Sequence, residues 1–231
     1  MNFSIWQNSS IIFVPPRCGG MEIYMKAYIF TGGDILHEYI AEEIEAGDLV
    51  ISADAGYKNA TLMGAHTNIL VGDFDSLGEI PDDVDEVKQL PAEKDLTDTQ
   101  ISVELAIERG AEEIIIVGST AGRFDHALSI LAILEKYWDS RIPIYIVNGQ
   151  NRIRFIRNSG FIVVRSQYQY FSILAADEKV KGVSIEGAKY PLKNATLTRK
   201  HQFAVSNEIV KNCALINVKK GGIYIIESRD I

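Results

Sequence analysis

Between residues 26 and 148 the chain repeats one pattern: a short run of β-branched and other apolar residues gives way to a stretch with helical spacing, then to another apolar run. Runs too continuous for a strand with one wet face belong to strands covered on both faces, and such strands are parallel and joined by helices. The strands marked in this way are Lys26 to Phe30, Leu49 to Ala53, Ile69 to Val71, Glu86 to Leu90, Ile114 to Val117 and Ile144 to Val147. Helical spacing falls on Leu36 to Ala46, Gly56 to Met63, Thr97 to Arg109 and Asp125 to Tyr137. The third is the best delimited. Thr97 and Gln100 have the spacing of a capping box, Ile101 and Leu105 lie one turn apart, and Gly110 stands just past the end.

After Asn148-Gly149-Gln150-Asn151 no long helical period returns. Short strand-like runs take over at Gly160 to Arg165, Tyr170 to Leu174, Val180 to Ile185, Ala214 to Val218 and Ile223 to Glu227, the pattern of a small antiparallel sandwich or barrel. The expected fold is α/β. A largely parallel, Rossmann-like sheet with flanking helices spans residues 25–148, and a C-terminal antiparallel β-sandwich domain spans 149–231. Residues 1–24 lack a clear period and carry Ser9-Ser10, Pro15-Pro16 and Gly19-Gly20, so they are set apart as a loose N-terminal extension.

The formal charge of −8 argues against nucleic acid or an anionic membrane as a partner, because both attract a positive surface. No apolar run approaches the length of a bilayer span, and Ile11 to Val14 is shorter than the core of a signal peptide. Cys18 and Cys213 lie far apart without C-x-x-C spacing, which indicates neither a disulfide framework nor a structural zinc site. The expected location is the cytoplasm.

In an open α/β sheet, ligands bind beyond the carboxyl ends of the strands. In this chain those positions are rich in acids and glycines: Gly32-Gly33-Asp34, Asp54-Ala55-Gly56, Gly72-Asp73-Phe74-Asp75-Ser76 and Gly118 to His126, with Asp95 and Asp98 on the approach to the third helix. Several carboxylates at one sheet edge repel one another, and a divalent cation relieves that conflict. Carboxylate oxygens suit Mg²⁺, which keeps waters and shares its shell with substrate phosphates, so the cluster implies a phosphorylated partner as well as a metal. Gly72 gives the backbone the freedom for Asp73 and Asp75 to reach one ion. A lone Asp-x-Asp is more simply a solvated turn; its place after a buried strand, beside other strand-end acids, favours the metal. Asp54 and Asp98 serve equally as helix caps, a role compatible with catalysis.

The stretch from Gly118 to His126 has the composition of a phosphate cradle. Gly118, Thr120 and Gly122 let backbone N–H groups approach, the following helix start attracts anions, and Arg123 can clamp oxygens in a fork beside Asp125 and His126. The competing reading of Arg123 and Asp125 is a surface ion pair at a helix start. Neither a G-x-x-x-x-G-K-[ST] loop nor a G-x-G-x-x-G after a strand occurs. Ser206-Asn207-Glu208 stands out in the second domain as neutral donors and acceptors followed by one charge.

Taken in order, Asp54-Ala55-Gly56, Gly72-Asp73-Phe74-Asp75-Ser76, Asp95-Leu96-Thr97-Asp98, Gly122-Arg123-Phe124-Asp125-His126 and Ser206-Asn207-Glu208 resemble the thiamine pyrophosphokinase family from about Lys26 to the C-terminus. The resemblance implies Mg²⁺-dependent transfer of a pyrophosphoryl group from ATP to the hydroxyl of thiamine. It also implies a homodimer with thiamine bound between subunits. Asp73, Asp75 and Asp98 would hold Mg²⁺ on the triphosphate with Asp54 nearby, while Arg123 and Asp125 engage nucleotide or phosphate. Ser206 and Asn207 would shape the thiamine pocket, and Asp98 or Asp95 would take the proton of the attacking hydroxyl. Some relatives carry a Trp two residues after the Asn; this chain has Ile209 there. Two other readings are a Mg²⁺-dependent phosphohydrolase, which would use the same acids to activate water, and a non-catalytic nucleotide- or thiamine-binding regulatory module, which would have no use for so many acids.

Overall fold

The computed structural model describes residues 24–74, 80–91 and 95–231. The chain divides into two compact units, one ending at Arg152 and the other running from Ile153 to Ile231. The N-terminal extension set apart in the sequence lies outside the described residues, except for Tyr24.

In the first unit the strands are β1 (Lys26–Phe30), β2 (Leu49–Ala53), β3 (Ile69–Gly72), β4 (Glu86–Gln89), β5 (Glu113–Val117) and β6 (Ile144–Val147). They stand in the order β4-β3-β2-β1-β5-β6, with every pairing parallel. The apolar runs explain why. All of β3, and all but the first residue of β1, β2 and β5, are buried, whereas the edge strand β4 is largely exposed and carries Glu86, Lys88 and Gln89. The chain winds outward from β1 to β4, then returns to lay β5 against the free side of β1. That reversal is a topological switch point, where the connections leave the strand ends in opposite directions and open a crevice.

The helices are α1 (Gly56–Leu62), α2 (Asp98–Glu108) and α3 (Phe124–Lys136). Thr97 caps α2 as its spacing predicts, its hydroxyl accepting the Gln100 N–H at 3.2 Å. The helix expected from Leu36 to Ala46 does not form; only a single 3-10 turn, His37–Tyr39, is present. Ile40 and Ile44 do pack on the core, which accounts for the helical spacing. The main chain, however, is claimed from outside the segment: Leu36 N–H donates to the Asn148 carbonyl and the Tyr28 hydroxyl donates to the Glu43 carbonyl. Leu36, at the N-cap position, has no side-chain oxygen with which to start a helix.

The second unit is all β. Its strands are β7 (Asn151–Arg157, in this unit from Ile153 on), β8 (Gly160–Val164), β9 (Tyr170–Ala175), β10 (Lys179–Glu186), β11 (Leu192–Thr198), β12 (Cys213–Asn217) and β13 (Gly222–Ser228). They form the orders β7-β13-β9 and β11-β10-β12-β8. Burial alternates along β9, β12 and β13, as strands with one buried face require. Phe171, Ile173, Ile223 and Ile225 from one sheet share a core with Val163, Val183, Ile185, Leu197 and Ile216 from the other, which makes the unit a sandwich. Two strands escaped the sequence reading. In β7 the arginines that mask the pattern are paired, Arg154 with Glu227 and Arg157 with Asp177. In β11 only Leu197 is buried and Asn194 takes a positive φ of 51°.

Gly56 begins α1 so close to β1 that a Cβ there would lie 2.0 Å from the Phe30 carbonyl oxygen. A Gly56→Ala chain is expected to lose about 2 kcal/mol or more of stability, because backbone rather than a flexible side chain must move; urea unfolding measures it.

Candidate active site

A cavity of about 360 Å³ opens at the switch point, and among the described residues its lining comes from five places in the sequence. Thr31, Gly32 and Gly33 follow β1; Ala53 ends β2 and Asp54 and Ala55 follow it; Thr97, Asp98 and Thr99 begin α2. Ser119, Ala121 and Gly122 follow β5, and Arg123, His126, Ser129, Ile130 and Ile133 line it from α3.

The β1 and β5 loops are interlocked. Ser119 N–H donates to the Gly32 carbonyl at 3.0 Å, and the Ser119 hydroxyl donates to Thr31 Oγ1 at 2.7 Å, which in turn donates to the Val117 carbonyl. Side chains are excluded at the crossing. A Cβ on Gly33 would lie 2.8 Å from the Ala121 carbonyl oxygen and one on Gly118 2.8 Å from that of Thr31, and both glycines have positive φ. Asp54, Phe74 and Ser119, just past β2, β3 and β5, also adopt positive φ (48°, 66° and 56°). Non-glycine residues uncommonly take that conformation, and these three sit just past strands of one sheet, at the same edge.

Of the residues singled out in the sequence, Asp54, Asp98, Gly122, Arg123 and His126 come together at this cavity. Asp54 and Asp98 each bury one carboxylate oxygen, Oδ1. Asp54 N–H bonds to Val71 on the neighbouring strand, and Gly72 packs beside Asp54, so Asp73 follows at the adjacent strand end, half-buried but outside the lining. Gly118 supports the crossing from below, and Thr120 Oγ1 is buried without a hydrogen-bond partner among the described residues. Asp95 is exposed and outside the lining, and Asp75 lies outside the described residues. The sequence reading missed Thr31, Thr99, Ser129, Ile130 and Ile133, ordinary residue types whose only signal is their position after β1 and along α2 and α3.

Arg123 and Asp125 form a two-pronged ion pair, Nη2 to Oδ2 at 2.6 Å and Nε to Oδ1 at 3.1 Å, and both are exposed. The surface ion pair weighed in the sequence is thus the observed geometry. The guanidinium, helped by the His126 N–H, holds the Asp125 carboxyl down to about 2, and Asp125 in turn raises the pKa of Arg123.

Residues 40–146 match the catalytic domain of thiamin pyrophosphokinase, and residues 152–223 match its vitamin B1 binding domain. The thiamine pyrophosphokinase of Bacillus subtilis is 30% identical over 69% of this chain and 77% of its own. The chain belongs to the thiamine pyrophosphokinase family. The crystal structure of thiamine pyrophosphokinase from B. subtilis superposes with a TM-score of 0.78 at 27% identity, covering 89% of this chain and all of that one. That from Geobacillus thermodenitrificans gives 0.75 at 29%, covering 89% of this chain and 98% of that one. As in those pyrophosphokinase structures, a parallel sheet with helices is followed by an antiparallel sandwich, as the sequence led one to expect.

In the unit that matches the vitamin B1 binding domain, Ser206 is exposed at a positive φ of 52° and its N–H donates to Ser172 Oγ. Asn207 is buried and its carboxamide is engaged at both ends. Oδ1 accepts from the N–H groups of Tyr190 and Glu208, and Nδ2 donates to the Tyr190 carbonyl at 2.8 Å. These bonds fix the backbone around Tyr190 and Glu208.

The donor set fits a hard divalent cation. Asp54 and Asp98 supply oxygen donors at one cavity, no Lys among the described residues lines it, and Arg123 is held by Asp125. Among the described residues no three His, Cys, Asp or Glu side chains are grouped so that they could together hold a metal ion. Also among the described residues, no helix is long and apolar enough to cross a membrane.

The depressed Asp125 pKa means that its contribution to stability is present above the ordinary carboxylate range and is lost as pH falls through about 2. By NMR titration Asp125 is expected to titrate near 2 in the intact chain and to move toward the ordinary value, about 4, in Arg123→Gln. A polyphosphate that recruits Arg123 should shift it the same way.

Proposed function

We propose that the chain transfers the pyrophosphoryl group of ATP to the hydroxyl of thiamine, giving thiamine diphosphate and AMP. The observation that carries this reading is one cavity at the β1/β5 switch point, with Asp54 and Asp98 on one side and the Gly122-Arg123 start of α3 on another, inside the segment matching the catalytic domain.

Transfer of this kind is mostly positioning and charge neutralisation. The N-terminus of α3 presents backbone N–H groups and the positive end of a helix to a polyphosphate, and Arg123 adds a fork of donors once it leaves Asp125. Ile130 and Ile133 give the cavity an apolar wall where part of the nucleotide can leave water. Asp73, Asp75 and Asp98, with Asp54, would hold Mg²⁺, which when bound neutralises charge on the phosphate oxygens. The thiamine hydroxyl attacks the β-phosphorus in line as AMP leaves. Asp98 is better placed than Asp95 to take its proton, because it lines the cavity. Ser206, on a backbone set by Asn207, would contribute to thiamine recognition. The family resemblance extends to a homodimer, which sedimentation velocity tests.

The protein incubated with ATP, Mg²⁺ and thiamine should yield thiamine diphosphate and AMP in equal amounts by mass spectrometry, and EDTA should abolish both. Nucleotide breakdown that ignores thiamine would instead make the chain a hydrolase. Asp73→Asn is expected to lower kcat by about 100-fold or more while thermal unfolding stays within a few degrees. Near-normal AMP formation by that variant would remove Asp73 from the metal site.

A further inference from the structure

The wall formed by Thr31, Gly32 and Gly33 is held by a residue outside the cavity lining. Asn59, in the middle of α1, donates from its Nδ2 to two main-chain carbonyls at once, Thr31 at 2.7 Å and Gly33 at 2.8 Å. Both acceptors are carbonyl oxygens, so the end of the amide facing them is the NH₂, with one hydrogen for each. The sequence explains how Asn59 gets there. Gly56, Asn59 and Ala60 are spaced i, i+3 and i+4, so they share one face of α1. That face lies on β1, since Gly56 touches the Phe30 carbonyl and Ala60 is fully buried.

We propose that Asn59 is a positioning residue for nucleotide binding, acting by turning the carbonyls of the Thr31–Gly33 loop away from the polyphosphate. This rests on the reading of the cavity as an ATP site. A carbonyl oxygen facing a polyphosphate repels it, whereas an N–H attracts it. In a trans peptide the C=O of one residue and the N–H of the next point in opposite directions. By drawing the Thr31 and Gly33 carbonyls toward α1, Asn59 leaves the N–H groups of Gly32 and Asp34 facing away from that helix. The Gly32 carbonyl between them is taken by Ser119 N–H. All three carbonyls of the loop are thus tied into the protein.

The test is calorimetry on the full-length chain with Mg²⁺, titrating α,β-methylene-ATP and, separately, thiamine. Asn59→Ala is expected to weaken the nucleotide analogue about tenfold while thiamine affinity stays within about twofold, and KM for ATP should rise more than kcat falls. Asn59→Leu keeps nearly the same shape without adding charge but loses both donors, so it should bind the analogue at least as poorly as Asn59→Ala. A purely space-filling role predicts that it binds like the wild type. Lys58→Ala, on the exposed side of the same helix, should match the wild type. Should Asn59→Ala fail to fold, Asn59→Ser keeps one donor and is expected to show a loss of about threefold.

Analogue affinity unchanged in Asn59→Ala, or a loss equal for thiamine, would overturn the assignment and leave the transferase reading intact. A wild-type chain that binds the analogue but makes no thiamine diphosphate would overturn the transferase reading and leave Asn59's role standing. Failure of the wild type to bind the analogue would remove both.

Discussion

The crossing of the β1 and β5 loops is the contact on which the rest of the first unit's chemistry depends. Because the chain builds outward to β4 before returning to the other side of β1, the ends of two adjacent strands lead away in opposite directions, and a crevice is unavoidable there. Ser119, Thr31 and the glycines that let the backbones touch keep that crevice at a defined width. Asp54 at the end of β2 and Asp98 at the start of α2 then have a common place to face. None of these residues is unusual by itself; the topology gives them a shared target.

Much of this is visible in residue order alone. Apart from the edge strand β4, the strands of the first unit are written as buried apolar runs, and the cap of α2 is announced by Thr97 and Gln100 at the right spacing. Of the acids picked out at the strand ends and at the start of α2, Asp54 and Asp98 line the cavity. What local pattern does not carry is competition from distant parts of the chain. The stretch from Leu36 to Ala46 has helical spacing, yet its backbone is bound by Asn148 and Tyr28, partners more than ten residues away in sequence. Similarly, β7 looks too charged to be a strand until Glu227 and Asp177 are seen opposite its arginines.

The site shows the same division. Acids and glycines are conspicuous because their chemistry and backbone freedom are unusual, so the pattern of strand ends pointed to them. Thr31, Ser129, Ile130 and Ile133 are conspicuous only by position. Asn207, noticed in the sequence as part of a polar triplet, has its carboxamide hydrogen-bonded to Tyr190 and Glu208, contacts that no local pattern announces.

Helix α1 has seven residues, too few to persist in water without partners. It exists because Gly56 and Ala60 sit flush on β1, so the element that braces the β1 loop draws its own order from the strand it braces. Loop and helix are therefore expected to open as one cooperative unit. Hydrogen exchange would see their amides slow together when a nucleotide binds, as a single foldon rather than as two independent protections.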